Sequence, residues 1–536
     1  MASSPADAAK KKRTRTNVKQ SKYGCFTCKA RRIKCDELKP ICRRCLTAKR
    51  FSSCDYPRGA PPSSSSTSSP ESPQSCLTLG QSHPQDSFVN LTCRVLVQGP
   101  RRAKSELELA FWSHAVPQLT HSIPSVRAAA AAFGASYHVH VLGGHRTSEA
   151  IECYSRALRL VQLELSSLYH GTVPCIVACL FLSCAEALQQ RLDKGLLHLQ
   201  GAFTLMTSRA GSNAKAMIDM EGVSLLFQKF DLHSATYALG RAPDLPPLPS
   251  PTPDVLLSKP PDQVLFSVLH SCYHFTSAAS RYKYVSNRLV PPELLIEQGR
   301  QLANLKQWLS YHAAPADSEH LLVLRVQCLA ALIYAANILE PRESAFDCYS
   351  PEFEDIISSA ETLAQYPNDD TSLGTRPGLP NFTPEMGIIH PLYFAALKYR
   401  HPAWRRRAID LLRKSGREGP WCGDIEAAVV SAIVRVEERL ASSSLGIPGR
   451  DSANEPGDFA ESDRISLCWP VEYMDKEADN DCGNRSQMAG TRSIKVVLVR
   501  CHDVDKMLRG SVIGPCQDPW RDQTHWDRWE EIVELL

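Results

Sequence analysis

Six cysteines fall between residues 25 and 54 in the order Cys25-x2-Cys28-x6-Cys35-x6-Cys42-x2-Cys45-x8-Cys54. Each Cys-x2-Cys pair can grip one divalent ion, and six thiolates in two such halves can hold two tetrahedral Zn²⁺ ions when two sulfurs bridge. The stretch has almost no aliphatic residues, so it cannot fold on a hydrophobic core and would need the metal to do so. A disulfide framework fits less well, because the residues ahead of the cluster are polar and basic, without the apolar run of a secretory signal. Two independent four-ligand fingers would need eight ligands, and residues 1 to 60 contain no His.

Charge indicates what this module faces. Residues 1 to 60 hold 17 Lys and Arg against 4 Asp and Glu, a formal +13, whereas the whole chain is only +4, leaving −9 for residues 61 to 536. Six thiolates and two divalent ions together subtract about two units, so the module stays cationic with its metal counted. A compact cationic module on a mildly acidic body is what binding to a phosphate backbone requires. Residues 29 to 34 are expected to form a short helix pinned at Cys28. From it Arg31 and Arg32 can reach base edges in a major groove, where an arginine fork suits the guanine acceptors. Contact to phosphate alone is the other reading for both. Lys29, Lys34, Arg43, Arg44 and Lys49 are expected to contact phosphate. Upstream, Lys10-Lys11-Lys12-Arg13 with Arg15 is a candidate nuclear localisation signal or a further source of phosphate contacts.

The run Cys25-Phe26-Thr27-Cys28-Lys29-Ala30-Arg31-Arg32-Ile33-Lys34-Cys35-Asp36, followed by Lys39-Pro40-Ile41-Cys42-Arg43-Arg44-Cys45, resembles the DNA-binding domain of fungal binuclear zinc-cluster transcription factors. Carried over by position, the resemblance implies a first zinc held by Cys25, Cys28, Cys35 and Cys42. It implies a second held by Cys42, Cys45, Cys54 and Cys25, with Cys25 and Cys42 bridging. It further implies CGG-like target triplets, a loop shaped by Pro40, a nuclear location, and double-stranded DNA and the transcription machinery or co-regulators as partners. Many such proteins dimerise through a coiled coil after the cluster, but residues 60 to 104 show no sustained heptad pattern. A homodimer stays among the expected partners, but not by that route.

The elements that carry this module follow from composition. Residues 1–24 read as a basic tail, 25–54 as the zinc cluster and 55–104 as a Ser/Pro-rich linker containing Pro61-Pro62-Ser63-Ser64-Ser65-Ser66. From residue 105 the pattern is helical. Phe111 and Trp112 sit in one helical stretch, and residues 125 to 137 are rich in Ala. Ile151, Tyr154, Leu158, Val161 and Leu165 repeat at helical spacing, as do Leu196, Leu199, Phe203 and Met206. Similar patterns recur near residues 264–282, 320–339, 392–413 and 424–440. The fold class expected is a small metal-stabilised binuclear zinc-cluster domain followed by a mainly all-α regulatory domain. Residues 105–441 form its helical part, 442–492 a polar disordered insertion containing Asp475, Glu477, Asp479 and Asp481, and 493–536 its C-terminal part. Only Ile494 to Val499 looks strand-like, with a buried helix as the alternative.

The apolar run Val173 to Leu188 contains Ser183 and Glu186 and is too short to span a membrane. It reads as a core helix, its Cys175, Cys179 and Cys184 as small hydrophobes, and no membrane partner is expected. The scattered body cysteines suit a reducing compartment. Pro243 to Pro253 reads as a linker between helices. The segments Phe111-Trp112, His121 to Arg127, Tyr154 to Ala157, His198 to Ala202, and Pro391 through Arg405-Arg406-Arg407-Ala408 to Leu411-Leu412 and Val436-Glu437-Glu438 resemble the helical regulatory region of the same fungal regulators.

No GxSxG, HExxH, Walker-type or GxGxxG motif occurs in a suitable context, so no enzyme activity is expected. The sequence points to a sequence-specific DNA-binding regulator of RNA polymerase II transcription. The resemblance adds control of a secondary-metabolite cluster or a nutrient pathway. The alternative is a helical scaffold whose zinc module docks protein or nucleic acid nonspecifically.

Overall fold

A computed structural model describes residues 25–36, 42–47, 84–98, 105–167, 172–207, 220–237, 241–247, 258–312, 318–365, 382–445, 459–475, 492–510, 519–521 and 524–535. They belong to two units, residues 1–79 and 80–536. The first contains two short helices, α1 (Phe26–Ala30) and α2 (Arg43–Thr47). The basic run at Lys10–Arg13, Pro40, Lys49, Cys54 and Pro61 to Ser66 lie outside the described residues.

The second unit is mostly helical. It begins with α3 (Pro84–Gln98), inside the stretch expected to be a linker. This differs from the sequence reading because Phe88, Val89, Thr92 and Leu96 form one buried stripe, too short to register as a heptad seam. α3 packs on the Ala-rich α6 (Pro124–His140), after α4 (Glu106–Ala110) has run through a π-turn at Phe111–Ala115 into α5 (Val116–Ser122). The crossing depends on Gly134, where a Cβ would stand 2.1 Å from the Phe88 carbonyl oxygen. At the same crossing the Thr92 hydroxyl donates to the Ala130 carbonyl at 2.6 Å.

Helices α7 (Thr147–Ser167), α8 (Val173–Leu188) and α9 (Leu192–Thr207) complete this first core with Phe133, Phe181 and Phe203. α8 is buried along its whole length. Burial pushes Cys175 and Cys184 up to about 12 and Cys179 to about 11, so these are protonated, core-filling thiols. Next come α10 (Met220–Tyr237), α11 (Pro261–Ser280), α12 (Pro292–Tyr311), α13 (Glu319–Ala336), α14 (Ser350–Gln365), α15 (Ile389–Lys398), α16 (Pro402–Lys414) and α17 (Gly423–Leu445). α13 is long and apolar enough to cross a membrane by composition, but it is mostly buried among neighbouring helices. Lys229 on α10 ties α4 to α11, its ammonium 2.8 Å from Glu108 on α4 and 3.1 Å from Asp262 on α11, all buried.

The rest departs from an all-helical reading. Short strands β1 (Phe382–Thr383), β2 (Arg417–Glu418) and β3 (Trp421–Cys422) pair in that order. The Glu418 carboxylate accepts from the Gly387, Ile388 and Ile389 amides at 2.9 to 3.1 Å, so it caps the start of α15. A second sheet, ordered β4 (Leu467–Asp475), β5 (Arg492–Cys501) and β6 (Trp526–Glu534), is antiparallel and packs on α17. Ile494 to Val499 is therefore the middle of a strand. Both faces of β5 are covered, which gives an apolar run broken only by Lys495 that periodicity alone cannot tell from a buried helix. α18 (Val504–Gly510) packs on the other face of this sheet.

Residues 442–492 are likewise not one disordered insertion. α17 runs to Leu445, and residues 459–475 are placed, with Phe459, Asp463, Arg464, Ile465 and Ser466 buried. Arg464 makes a two-pronged contact with Asp347 at 2.7 and 2.8 Å. Among the described residues of this stretch, Asp463, Arg464 and Ser466 are buried rather than solvated. In the Pro243–Pro253 stretch, the Asp244 and Leu245 amides donate to Asp231 at 2.8 and 2.7 Å, fastening the segment to α10.

Two buried carboxylates give the second unit a pH signature. Burial raises Glu418 to about 7, partly offset by its three amide donors, and raises Glu426 to about 8, offset by the Cys422 amide and Arg417. The folded state therefore keeps protons that the unfolded chain releases near 4.5. The stability they contribute is full below that value and is lost as pH rises through 7 to 8. Burial pushes His233 and His390 down to about 4 and about 3, which works in the opposite sense below 6.5, so the share of the carboxylates is read as a difference between proteins. Between pH 5 and pH 8 the wild type should lose stability relative to Glu426→Gln, which mimics the protonated acid, by an amount on the order of a few kcal/mol from denaturant melts. A difference that does not change with pH would refute the assignment.

Candidate metal centre and nucleic-acid interface

The first unit is organised around sulfur. Cys25, Cys28, Cys42 and Cys45 are fully buried and Cys35 is 4 % exposed, with Ile33 packed against them. The sulfurs of Cys25 and Cys42 are 3.8 Å apart, Cys25 and Cys45 3.7 Å, Cys28 and Cys42 3.5 Å, and Cys28 and Cys45 3.9 Å. These separations are far beyond a disulfide bond of about 2.05 Å. The first three match the edge of a tetrahedron with zinc–sulfur bonds of about 2.3 Å, which is roughly 3.8 Å, and Cys28 and Cys45, which the resemblance assigns to different ions, come as close. The sulfurs of Cys25, Cys28, Cys35 and Cys42 all lie within 4.8 Å of one another. That foursome is the first-zinc set the resemblance implies. The residues present therefore fit a thiolate-bound zinc, which when bound would supply the cross-links of a core.

The backbone explains why the sulfurs converge. Cys25 caps α1, its sulfur accepting from the Cys28 amide at 3.4 Å, and in the second half the Cys42 sulfur accepts from the Cys45 amide at 3.3 Å. Each Cys-x2-Cys pair thus sits on the first turn of a short helix, and the two halves repeat one design. The same cap corrects the expected helix over residues 29 to 34. α1 starts one turn earlier, at Phe26, and ends at Ala30, because the sulfur that pins it belongs to Cys25. Asp36 was missed by the sequence reading: its carboxylate accepts from the Arg43 amide at 3.0 Å and tethers the start of α2. A capping partner seven residues away leaves no local signature.

The end of α1 sets the cationic surface. The Ile33 amide donates to the Cys28 carbonyl at 3.1 Å and the Arg32 amide to the Lys29 carbonyl at 3.0 Å. This is the Schellman closure of a helix, in which the residue at C′ takes a left-handed backbone and is usually Gly. Here it is Arg32, at φ +52°. Arg31, Arg32, Lys34, Arg43 and Arg44 are exposed, and Lys29 is half-buried with its ammonium 6.0 Å from the Phe26 ring centre. The structure thus brings Lys29, Arg31, Arg32 and Lys34 together around one helix end and puts Arg43 and Arg44 on the first turn of α2.

Residues 23–62, which contain all six cysteines, match the family described as the fungal Zn(2)-Cys(6) binuclear cluster domain. A transcriptional regulatory protein of Schizosaccharomyces pombe is 30% identical over 168 residues, covering 28% of this chain and 29% of that protein. A transcription factor of Flammulina velutipes is 44% identical over 50 residues, covering 9% of this chain and 17% of its own length. The chain therefore spans less than a third of either relative. No solved structure matches.

Metal removal should show the dependence directly. Chelation of zinc should abolish protection of the Cys25–Cys45 amides from hydrogen exchange while leaving α8 protected, as read by mass spectrometry. Protection of the cysteine segment that survives chelation would refute a metal-built core. The sulfur geometry and the family match agree: this chain carries a fungal-type Zn(2)-Cys(6) binuclear cluster domain at residues 23–62, followed by a mostly helical region.

Proposed function

We propose that the chain is a nuclear, zinc-dependent, sequence-specific regulator of RNA polymerase II transcription that binds double-stranded DNA at CGG-like sites. In this reading residues 25–54 dock on DNA, and the helical body governs output through co-regulators. Cys25, Cys28, Cys35, Cys42, Cys45 and Cys54 hold two zinc ions, with Cys25 and Cys42 shared.

The observation that carries the reading is Arg32. A side chain with a Cβ at φ +52° costs on the order of 1 kcal/mol or more relative to glycine. Strain of this kind persists where the side chain has work to do. At the end of α1 the left-handed turn throws the Arg32 guanidinium clear of the helix, where its fork can meet the O6 and N7 of guanine, with Arg31 beside it. Lys29, Lys34, Arg43, Arg44 and Lys49 neutralise phosphates on either side.

Two experiments test this. In site selection from random DNA, zinc-loaded full-length protein should enrich a CGG-containing motif. Arg32→Ala, which keeps the backbone cost, should relax base preference, whereas Lys34→Ala should weaken all sequences and flatten the salt slope by about one unit. Identical behaviour of the two variants would sink the division of roles, and failure to enrich any site would favour nonspecific docking. Native mass spectrometry should count two zinc ions. Cys25→Ser or Cys42→Ser should lose both, and Cys35→Ser should keep about one. An equal loss from all three would rule out the bridging pair.

A further inference from the structure

The sheet of strands β4, β5 and β6 has two outer edges, and they are built differently. β4 carries Pro470 and a register break between Pro470 and Glu472 that leaves Val471 51% exposed. Proline and bulges are the devices that stop an edge from accepting another strand. β6 has neither, and its register with β5 runs unbroken from Ser493–Glu534 to Cys501–Trp526.

The direction of the β6 backbone groups follows from one bond. The His502 amide donates to the His525 carbonyl at 3.1 Å, and bonded pairs alternate along an antiparallel ladder. Asp527, Trp529, Glu531 and Val533 therefore bond to β5, while Trp526, Arg528, Glu530 and Ile532 turn N–H and C=O outward. Among the described residues nothing pairs with the outward groups of Arg528, Glu530 and Ile532. Arg528 is held over the Trp469 ring at 5.6 Å and Glu530 lies 3.3 Å from Lys495, both solvent-exposed, and Ile532 is 60% exposed.

We propose that this edge pairs with the same edge of a second copy of the chain, antiparallel about a two-fold axis at Trp529, extending the sheet to six strands. Charge selects this occupant and this register. Centred on Trp529, Arg528 of each copy faces Glu530 of the other, and Trp526 faces Ile532. Centring on Arg528 or on Glu530 would set like charges face to face, which is destabilising. The same register places Asp527 across from Glu531 on the opposite face, where Asp527 is already neutralised by Arg500 at 2.8 Å. The charges thus penalise the neighbouring registers of self-pairing and favour this one. This interface is independent of the DNA-binding reading.

Sedimentation equilibrium of zinc-loaded full-length protein should show a reversible dimer. Arg528→Glu turns both opposite-charge pairs into like-charge pairs and should weaken the dimer about tenfold or more. The swap Arg528→Glu with Glu530→Arg should restore it. Glu530→Pro removes an outward N–H that β5 does not use, so it should abolish the dimer while circular dichroism and Tm stay near wild type. Glu531→Pro removes a ladder bond and should instead unfold the sheet. A wild-type monomer at every accessible concentration would overturn the proposal. So would a dimer indifferent to Arg528→Glu and Glu530→Pro, or a swap that fails to restore association.

Discussion

The body depends on a carboxylate that water never reaches. Glu437 on α17 is fully buried and is met by Arg400 at 3.1 Å, by Arg405 at 2.6 Å and by the Ile465 amide at 2.8 Å. These three partners come from the end of α15, from α16 and from the segment that leads into β4. One side chain therefore sets the register of two helices and the sheet. Glu343 extends the network to Lys398 at 2.6 Å and Lys283 at 3.4 Å. Burial alone would raise Glu343, but the charges of Lys398, Lys283 and Arg400 outweigh it and hold it at about 2. Burial in turn pulls Lys398 down to about 8. Such networks add little net stability compared with apolar packing, yet losing one partner costs about 3–5 kcal/mol because a charge is stranded. They make one arrangement of the elements much better than its neighbours.

The first unit solves the same problem with different atoms. A stretch this short, with Ile33 as the packed aliphatic side chain among the described residues, cannot bury enough area to fold. Its sulfurs are therefore both the interior and the adhesive. In the body the thiols are the reverse: Cys175, Cys179 and Cys184 are buried along α8 and stay protonated. The distinction lies in geometry, since these three lie on one continuous helix whereas the module's are brought to each other by two capped turns.

Much of the module was legible because ligand spacing, cation density and residue type coincide in the same short stretch. What was not legible was the helix boundary, since a sulfur cap at Cys25 looks no different in sequence from one at Cys28. In the body, apolar periodicity located α7, α9 and α17, where one face is wet. It failed for α3, whose stripe is short and interrupted by Thr92, and for β5, which is covered on both faces. Residues 459–466 were misjudged for a plainer reason. Their polar composition is that of a solvated loop, and only the positions of Asp347, Arg400 and Glu437, far away in sequence, turn Arg464 and the Ile465 amide into interior groups.

The net charge of the chain conceals its electrostatics. At +4 over 536 residues the protein looks nearly neutral, yet its first 60 residues carry +13 and the remainder −9. At physiological ionic strength the Debye length is about 8 Å, so a surface group responds to charges within roughly that distance and hardly at all to the total. A polyanion meeting the module would therefore feel the concentrated cation, not the balanced sum. The acidic remainder does not cancel that field, because its excess of nine negative charges is spread over 476 residues while the thirteen positive charges are held within 60.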